Sequence, residues 1–189
     1  MADQREFHRK SLSEKVEDRS EAIYSICFDF SDLPDKNQAW EDLHRLSTDE
    51  DSEVRGWAAQ ALGWAFSEVP NKKQAWDDLH RLSTDEDSDV RGWAAFSIGL
   101  AFSEVPDKKQ AWKDLHRLSI DENDFVREWA AFALSEAFSE VPDKSQAWKD
   151  LHRLSTDEDS EVRGWAASTL DKAFFQVPDK NQVWDDLHR

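Results

Sequence analysis

The sequence predicts an all-α solenoid, antiparallel helix pairs stacked into a right-handed superhelix, and three observations carry that prediction. Tryptophans recur at Trp40, Trp76, Trp112, Trp148 and Trp184, each 36 residues after the last. A second series, Trp57, Trp93, Trp129 and Trp165, keeps the same interval, so nine of the ten tryptophans obey one period. Within each period two apolar patterns of helical spacing flank an acidic break. A fixed period of this size marks an array, because one unit cannot bury its apolar face without neighbours. Residues 1–189 then form a single elongated domain whose core grows by the unit.

Taken in order, residues 1–33 read as an atypical N-terminal cap unit. Aligning Pro34 with Pro70 sets Phe30 on Phe66, Ala22 on Ala58 and Arg19 on Arg55, but the upstream half has no tryptophan. Arrays commonly end in such a degraded, polar unit. Full repeats follow at 34–69, 70–105, 106–141 and 142–177, and a half repeat occupies 178–189. In each repeat the first helix begins after the proline, which a first turn tolerates because its N–H has no helical partner. Ala39, Trp40, Leu43 and Leu46 lie three and four apart, on one helical face. Ser47 to Glu50 breaks the pattern, and Asp51 is placed to cap a second helix with Glu53 in its first turn. Val54, Ala58, Ala61, Leu62 and Ala65 make the buried stripe of that helix, which ends near Ser67 because the residue before Pro70 avoids the α region. Trp184 and Leu187 belong to a first helix with no second helix after it, a shortened cap or the start of more array, and an open end of this kind invites self-association.

Composition narrows the function. The net charge is -17, and no run of Lys or Arg offers the basic stripe on which nucleic acid and anionic membranes depend, so neither is expected as a partner. Cys27 is the single cysteine, which excludes an internal disulfide and a thiolate zinc site. The N-terminal stretch lacks an apolar signal core and no apolar run approaches a membrane span, so a cytoplasmic location is expected.

The opening of the second helix carries a resemblance. Asp49, Asp51, Val54, Arg55, Ala58, Ala59, Ala61, Leu62 and Gly63 recur in register through the next three units, with substitutions at the last positions. This pattern resembles the HEAT-like repeat family, and within it the short repeats named after phycocyanobilin lyases. The resemblance spans about residues 14–189. It implies an α-solenoid with second helices on the concave side and little about chemistry, since such folds serve mostly as docking surfaces. It also implies a structural ladder between units, pairing Asp49, Asp85, Asp121 and Asp157 with Arg55, Arg91, Arg127 and Arg163.

Other motifs read as structure. His44, His80, His116, His152 and His188 stand in DLHR segments, but Asp42 and His44 are two apart and leave different sides of a helix. Histidines of successive units would lie about 8–10 Å apart, too far to share an ion, so a surface ridge is expected and no metal. The acidic run at Asp49 to Glu53 starts like a calcium loop but lacks its glycine, and Gln60 stands where the bidentate glutamate belongs. Ser47 and its equivalents repeat near the histidines in every unit, whereas a catalytic site occurs once. No catalytic residue, enzyme activity or cofactor is implied.

The variable surface is the remaining signal. On a helical wheel positions 53, 56, 60, 63 and 64 lie opposite the buried stripe, with Trp57 at the border. Here near-identical units diverge toward large apolar residues: Gln60 becomes Phe96 and Phe132, Trp64 becomes Leu100, and Glu53 becomes Phe125. The expected partner-binding set is Trp57, Trp64, Trp93, Phe96, Leu100, Phe125, Trp129 and Phe132, an aromatic patch ringed by acids. The Trp57 series either joins this groove or packs between adjacent second helices. The leading function is a non-catalytic scaffold that binds a protein or peptide offering apolar anchors among Lys and Arg. The alternative is a self-assembling module, a homo-oligomer through solenoid ends or aromatic faces. A bilin-lyase-like, ligand-processing role would need a once-only polar cluster, and the sequence has none.

Overall fold

The computed structural model describes residues 4–27 and 30–173. The half repeat at 178–189, with Trp184, Leu187 and His188, lies outside the described residues. Among the described residues are ten α-helices, one 3-10 turn at Phe30–Asp32 and no strand. A cap pair, α1 (Gln4–Ser11) and α2 (Val16–Cys27), opens the array. First helices follow at α3 (Lys36–Leu46), α5 (Lys72–Leu82), α7 (Lys108–Leu118) and α9 (Lys144–Leu154). They alternate with second helices α4 (Ser52–Ala65), α6 (Ser88–Ala101), α8 (Asp124–Ala137) and α10 (Ser160–Ala173).

Local chemistry sets these boundaries. The residue after each proline caps the first helix: the Asp35 carboxylate accepts from the Gln38 N–H at 3.0 Å, and Asn71, Asp107 and Asp143 do the same one unit apart. The proline therefore sits just outside the helix, rather than in its first turn. Each first helix ends where a serine N–H returns to the carbonyl four residues back, as Ser47 does to Leu43. Asp51 opens α4 by accepting from the N–H groups of Glu53 and Val54, at 2.9 and 3.4 Å. The second helices close one turn short of the prolines, where the N–H groups of Glu68 and Val69 both reach the Ala65 carbonyl.

The core lies between the two helix rows. Trp40, Leu43 and Leu46 of the first row meet Val54, Ala58, Leu62 and Phe66 of the second, all buried, and the same set recurs in the next two units. Burying each large side chain contributes about 1.5–3 kcal/mol, so every unit adds a comparable share of stability. Consecutive second helices pack backbone close to backbone, whereas the backbones of consecutive first helices α3, α5, α7 and α9 stay farther apart and are bridged by long side chains. That asymmetry gives the array two different seams.

Candidate functional site

The second-helix seam is built from small residues at its crossing points. A Cβ on Gly63 would stand 2.8 Å from Ser97 Cα, and one on Gly99 would stand 2.6 Å from Ala133 Cα. Gly56 and Gly63, expected on the open face, are both buried, Gly63 against Ser97 of the neighbouring helix and Gly56 beside the Trp93 ring. The reason is geometric: a helix inside an array has neighbours on both flanks as well as behind it. Ser97, also at this crossing, donates its buried hydroxyl to the Ala59 carbonyl at 2.8 Å.

Along the same seam runs a ribbon of rings. Trp64 meets Phe96 at 5.7 Å between centroids, and Phe96 contacts Trp93, Trp129 and Phe132 at 6.0, 5.0 and 5.2 Å. Phe132 continues to Trp165 at 5.1 Å. Most of these contacts are edge-to-face or tilted, the arrangement that the ring quadrupole favours. Trp57, Trp93, Trp129 and Trp165 are half-buried and pack against the core. Phe96 is a correction. It was expected to present itself to a partner, but it is only 7% exposed, enclosed by rings from three helices. Trp64, at 47% exposed, is the open member of the set, and Leu100, Phe125 and Phe132 are half-buried.

At the N-terminal ends of α4 and α6 a cleft of about 420 Å³ opens, lined by Ser52, Glu53, Gly56, Trp57, Asp89 and Trp93, with the α6 cap Asp87 at its edge. Beside it stands an ion-pair ladder. Arg55 donates from Nε and an Nη to both oxygens of Asp85, at 2.8 Å each, and its other Nη to the carbonyls of Asp49 and Glu50. Arg91 holds Asp121 and Arg127 holds Asp157 in the same way. Arg19 of the cap pairs with Asp49 at 2.8 Å, so the cap docks by the device that joins full units. Arg163 donates to the carbonyls of Asp157 and Glu158.

The ladder leaves an electrostatic signature. Burial pushes the Asp85 and Asp121 carboxyls up, but the arginine hydrogen bonds, a backbone N–H and the arginine charges outweigh it, and both lie below the ordinary 3.8. Asp157 is lowered chiefly by its Arg127 hydrogen bond, and the paired arginines are all raised by their aspartates. Glu128 moves the other way: burial, then the nearby Glu161 charge, pushes its carboxyl above the ordinary 4.5.

The first-helix seam is polar, and here sequence reasoning missed the main feature. Asp42 and His44 do leave different sides of α3, but each meets its counterpart on the adjoining first helix. His44 Nδ1 lies 2.6 Å from Asp78, and the His80–Asp114 and His116–Asp150 pairs are 2.7 Å apart. The cap joins through His8 and Asp42 at 2.8 Å. A carboxylate partner only accepts, so the Nδ1–H donates. These aspartates are buried while their histidines are half-exposed, stacked on the preceding tryptophan: Trp40–His44 is 5.6 Å and Trp76–His80 is 5.9 Å between ring centres. The DLHR arginines reach the opposite way. Arg81 donates to the Ser47 carbonyl at 3.0 Å and to its hydroxyl at 2.9 Å, and Arg117 and Arg153 repeat this on Ser83 and Ser119. The expected histidine ridge is therefore a row of inter-unit hydrogen bonds. Its only sequence signal was that Asp, His and Arg repeat together in every unit.

The comparisons with known proteins agree with this architecture. The family model described as HEAT repeats matches residues 9–99. Two crystal structures of engineered proteins superpose with TM-scores of 0.65 and 0.70, at 24% and 25% identity. The first alignment covers 98% of this chain and 94% of the other, the second 100% and 90%. A designed armadillo repeat protein, in complex with peptide (KR)4, superposes with a TM-score of 0.66 at 20% identity, over 87% of this chain and 79% of that one. No curated protein matches. No helix among the described residues is long and apolar enough to cross a membrane. Residues 9–99 are thus similar to HEAT repeats, and the described chain as a whole folds as a HEAT/armadillo-like α-solenoid.

Proposed function

We propose that the chain is a non-catalytic interaction scaffold that docks an extended, basic protein segment along its second-helix face. The observation that carries this reading is the aromatic ribbon from Trp64 to Trp165, open at Trp64 and half-open at its other tryptophans, with exposed Glu53, Asp89 and Glu161 on the same row of helices. These carboxylates form no ion pair among the described residues. Rings surrounded by unpaired acids suit a partner whose apolar anchors alternate with Lys or Arg. The closer packing of second helices supports taking this face as the inner side of the curve, where an extended segment would touch several units at once. The HEAT/armadillo-like fold is typically a non-catalytic scaffold. The basic peptide bound by the designed armadillo protein supports the reading at the level of fold only.

The test is a titration with two fluorescent octapeptides, one alternating lysine with tryptophan and one alternating glutamate with tryptophan. The basic peptide is expected to bind and to weaken as salt is added. A Trp64→Ser variant with unchanged helicity should bind it several-fold more weakly. Equal binding of both peptides, or of neither, sinks the proposal. Light scattering over a hundredfold range of concentration separates it from the self-assembling alternative, in which apparent mass grows with concentration and peptide has no effect.

A further inference from the structure

We propose that the cleft between α4 and α6 is a binding slot for one planar cation, an arginine guanidinium presented by the docked segment. This deepens the reading of the second-helix face and rests on it. Three successive units differ at this one place. Between α6 and α8 the Phe125 ring lies over Gly92, with two ring carbons 2.5 Å from where a glycine Cβ would stand. It meets Trp93 edge-on at 5.6 Å and Trp129 at 6.1 Å. A glycine floor and two tryptophan walls thus form a cradle for a flat group, and here the chain fills it with its own ring. Between α8 and α10 the floor is Glu128, whose carboxylate accepts a hydrogen bond from Trp165, and no glycine cradle remains.

Between α4 and α6 the cradle is intact and open. Gly56 is the floor, Trp57 and Trp93 are the walls, and the cleft measures about 420 Å³. A Cβ on Gly56 would touch only Trp93, at 3.4 Å. Asp89 stands where Phe125 stands in the next unit, and Glu53 lines the same opening. Neither forms an ion pair among the described residues. The occupant must therefore be flat, as the phenyl ring next door is, and must carry positive charge with several N–H donors. A guanidinium meets all three demands: it is planar, stacks on indole and forks onto carboxylates. A lysine ammonium carries the charge but not the plane. An anion would face the carboxylates of Glu53 and Asp89, with the cap Asp87 already occupying the start of α6.

The experiment compares octapeptide (KR)4 with an all-lysine octapeptide by calorimetry, on wild type, Asp89→Phe and Phe125→Asp. Asp89→Phe gives the second repeat the residue that closes the slot in the third, and Phe125→Asp does the reverse. Wild type is expected to prefer the arginine peptide by about tenfold, because a guanidinium stacks flat and forks onto carboxylates where an ammonium does neither. Asp89→Phe should abolish that preference and leave lysine-peptide binding in place, whereas Phe125→Asp should strengthen arginine-peptide binding by opening a second slot. If wild type binds both peptides equally, or folded Asp89→Phe keeps the preference, the slot proposal is overturned while the docking face stands. If wild type binds neither, both fall. Should a variant unfold, the arginine-to-lysine ratio of wild type decides alone.

Discussion

Where second helix meets second helix, contact is made by glycine, alanine and aromatic rings. Where first helix meets first helix, it is made by histidine, aspartate, arginine and serine. The two seams join the same units at the same interval, yet they tolerate change differently. The Asp, His, Arg and Ser of the first-helix seam are the same in all four full units. The second-helix seam carries Gln60, Phe96, Phe132 and Ser168 at one position and Gly56, Gly92, Glu128 and Gly164 at another. A hydrogen bond between long arms demands a fixed donor, acceptor and distance, so the polar seam holds register and admits no variants. Ring packing accepts several shapes provided the volume is filled, so the apolar seam can differ from unit to unit. Variation there creates one open slot, one self-filled slot and one acid-floored slot from a single template.

The comparison breaks first at the glycine crossings. Replacing Gly99 with leucine drives a side chain into the Ala133 backbone, which stands 2.6 Å from even a Cβ. Rigid backbone cannot give as a side-chain tip can, so the loss expected is about 3 kcal/mol, at the upper end of overpacking costs. Urea unfolding followed by far-ultraviolet circular dichroism measures it. A loss below 1 kcal/mol, on the order of an ordinary surface change, would mean that the seam is looser than its geometry states.

The ladder comes next. Arg91→Ala removes two hydrogen bonds to Asp121, at 2.8 and 2.9 Å, and two more to the carbonyls of Asp85 and Glu86. It leaves Asp121 largely enclosed without its counter-charge, and the same unfolding measurement should show a loss of about 2 kcal/mol, below the range for a fully buried pair because water still reaches this one. Acid probes the ladder without mutation. A carboxyl lowered in the fold contributes stability that is fully present above its unfolded value, near 3.8 here, and is lost as pH falls through the folded one. Glu128 has the opposite sign: its carboxyl is raised above 4.5, so its ionised form is a burden at neutral pH that lifts as pH falls through the raised value. Thermal midpoints should therefore hold or rise slightly on acidification toward pH 4.5 and drop below 3.8. Arg91→Ala should flatten that final drop.

The first-helix seam should yield a smaller effect at its centre. Asp78→Asn keeps the shape of a side chain that accepts from His44 at 2.6 Å and lies 3.5 Å from Arg81. His44, Arg81 and Gln74, which lies 3.5 Å away, are half-exposed and can turn to water while the asparagine oxygen still accepts, so the expected loss is about 1 kcal/mol, the net worth of an ordinary hydrogen bond. A loss larger than that of Arg91→Ala would reverse the ranking of the two devices.

Much of this was legible in the chain. The helix pairs were legible from the apolar spacing, Asp51 marked the start of its second helix, and Val54, Ala58 and Leu62 marked its buried stripe. Each of these depends on residues within one helix or its cap, where spacing maps directly onto a face. The polar seam was not legible, because Asp42 and His44 look unrelated two residues apart and find partners only 34 residues away. The burial of Gly63 and Phe96 escaped for a related reason: a helical wheel assigns one buried side, but an array helix also packs against flanking copies. Mid-helix glycine was the available clue. It costs about 1 kcal/mol relative to alanine, and so asks what the missing Cβ makes room for.

Gly164 tests that last inference from the other direction. It occupies the register of Gly56 and Gly92, yet a Cβ placed on it meets nothing within 4 Å among the described residues, and the residue is exposed. At Gly92 the same Cβ would strike the Phe125 ring at 2.5 Å. If glycine at this register exists to seat a neighbour, then Gly164, with no neighbour described, carries the helix-propensity cost without the return. Gly164→Ala should stabilise by close to 1 kcal/mol, the propensity difference in a helix interior, while Gly92→Ala should destabilise by displacing Phe125. Paired unfolding curves give the sign of each. Opposite signs tie the glycine to the cradle that it floors. A gain in both would show that Phe125 moves aside freely, and the self-filled slot would then be as accessible to a docked side chain as the open one.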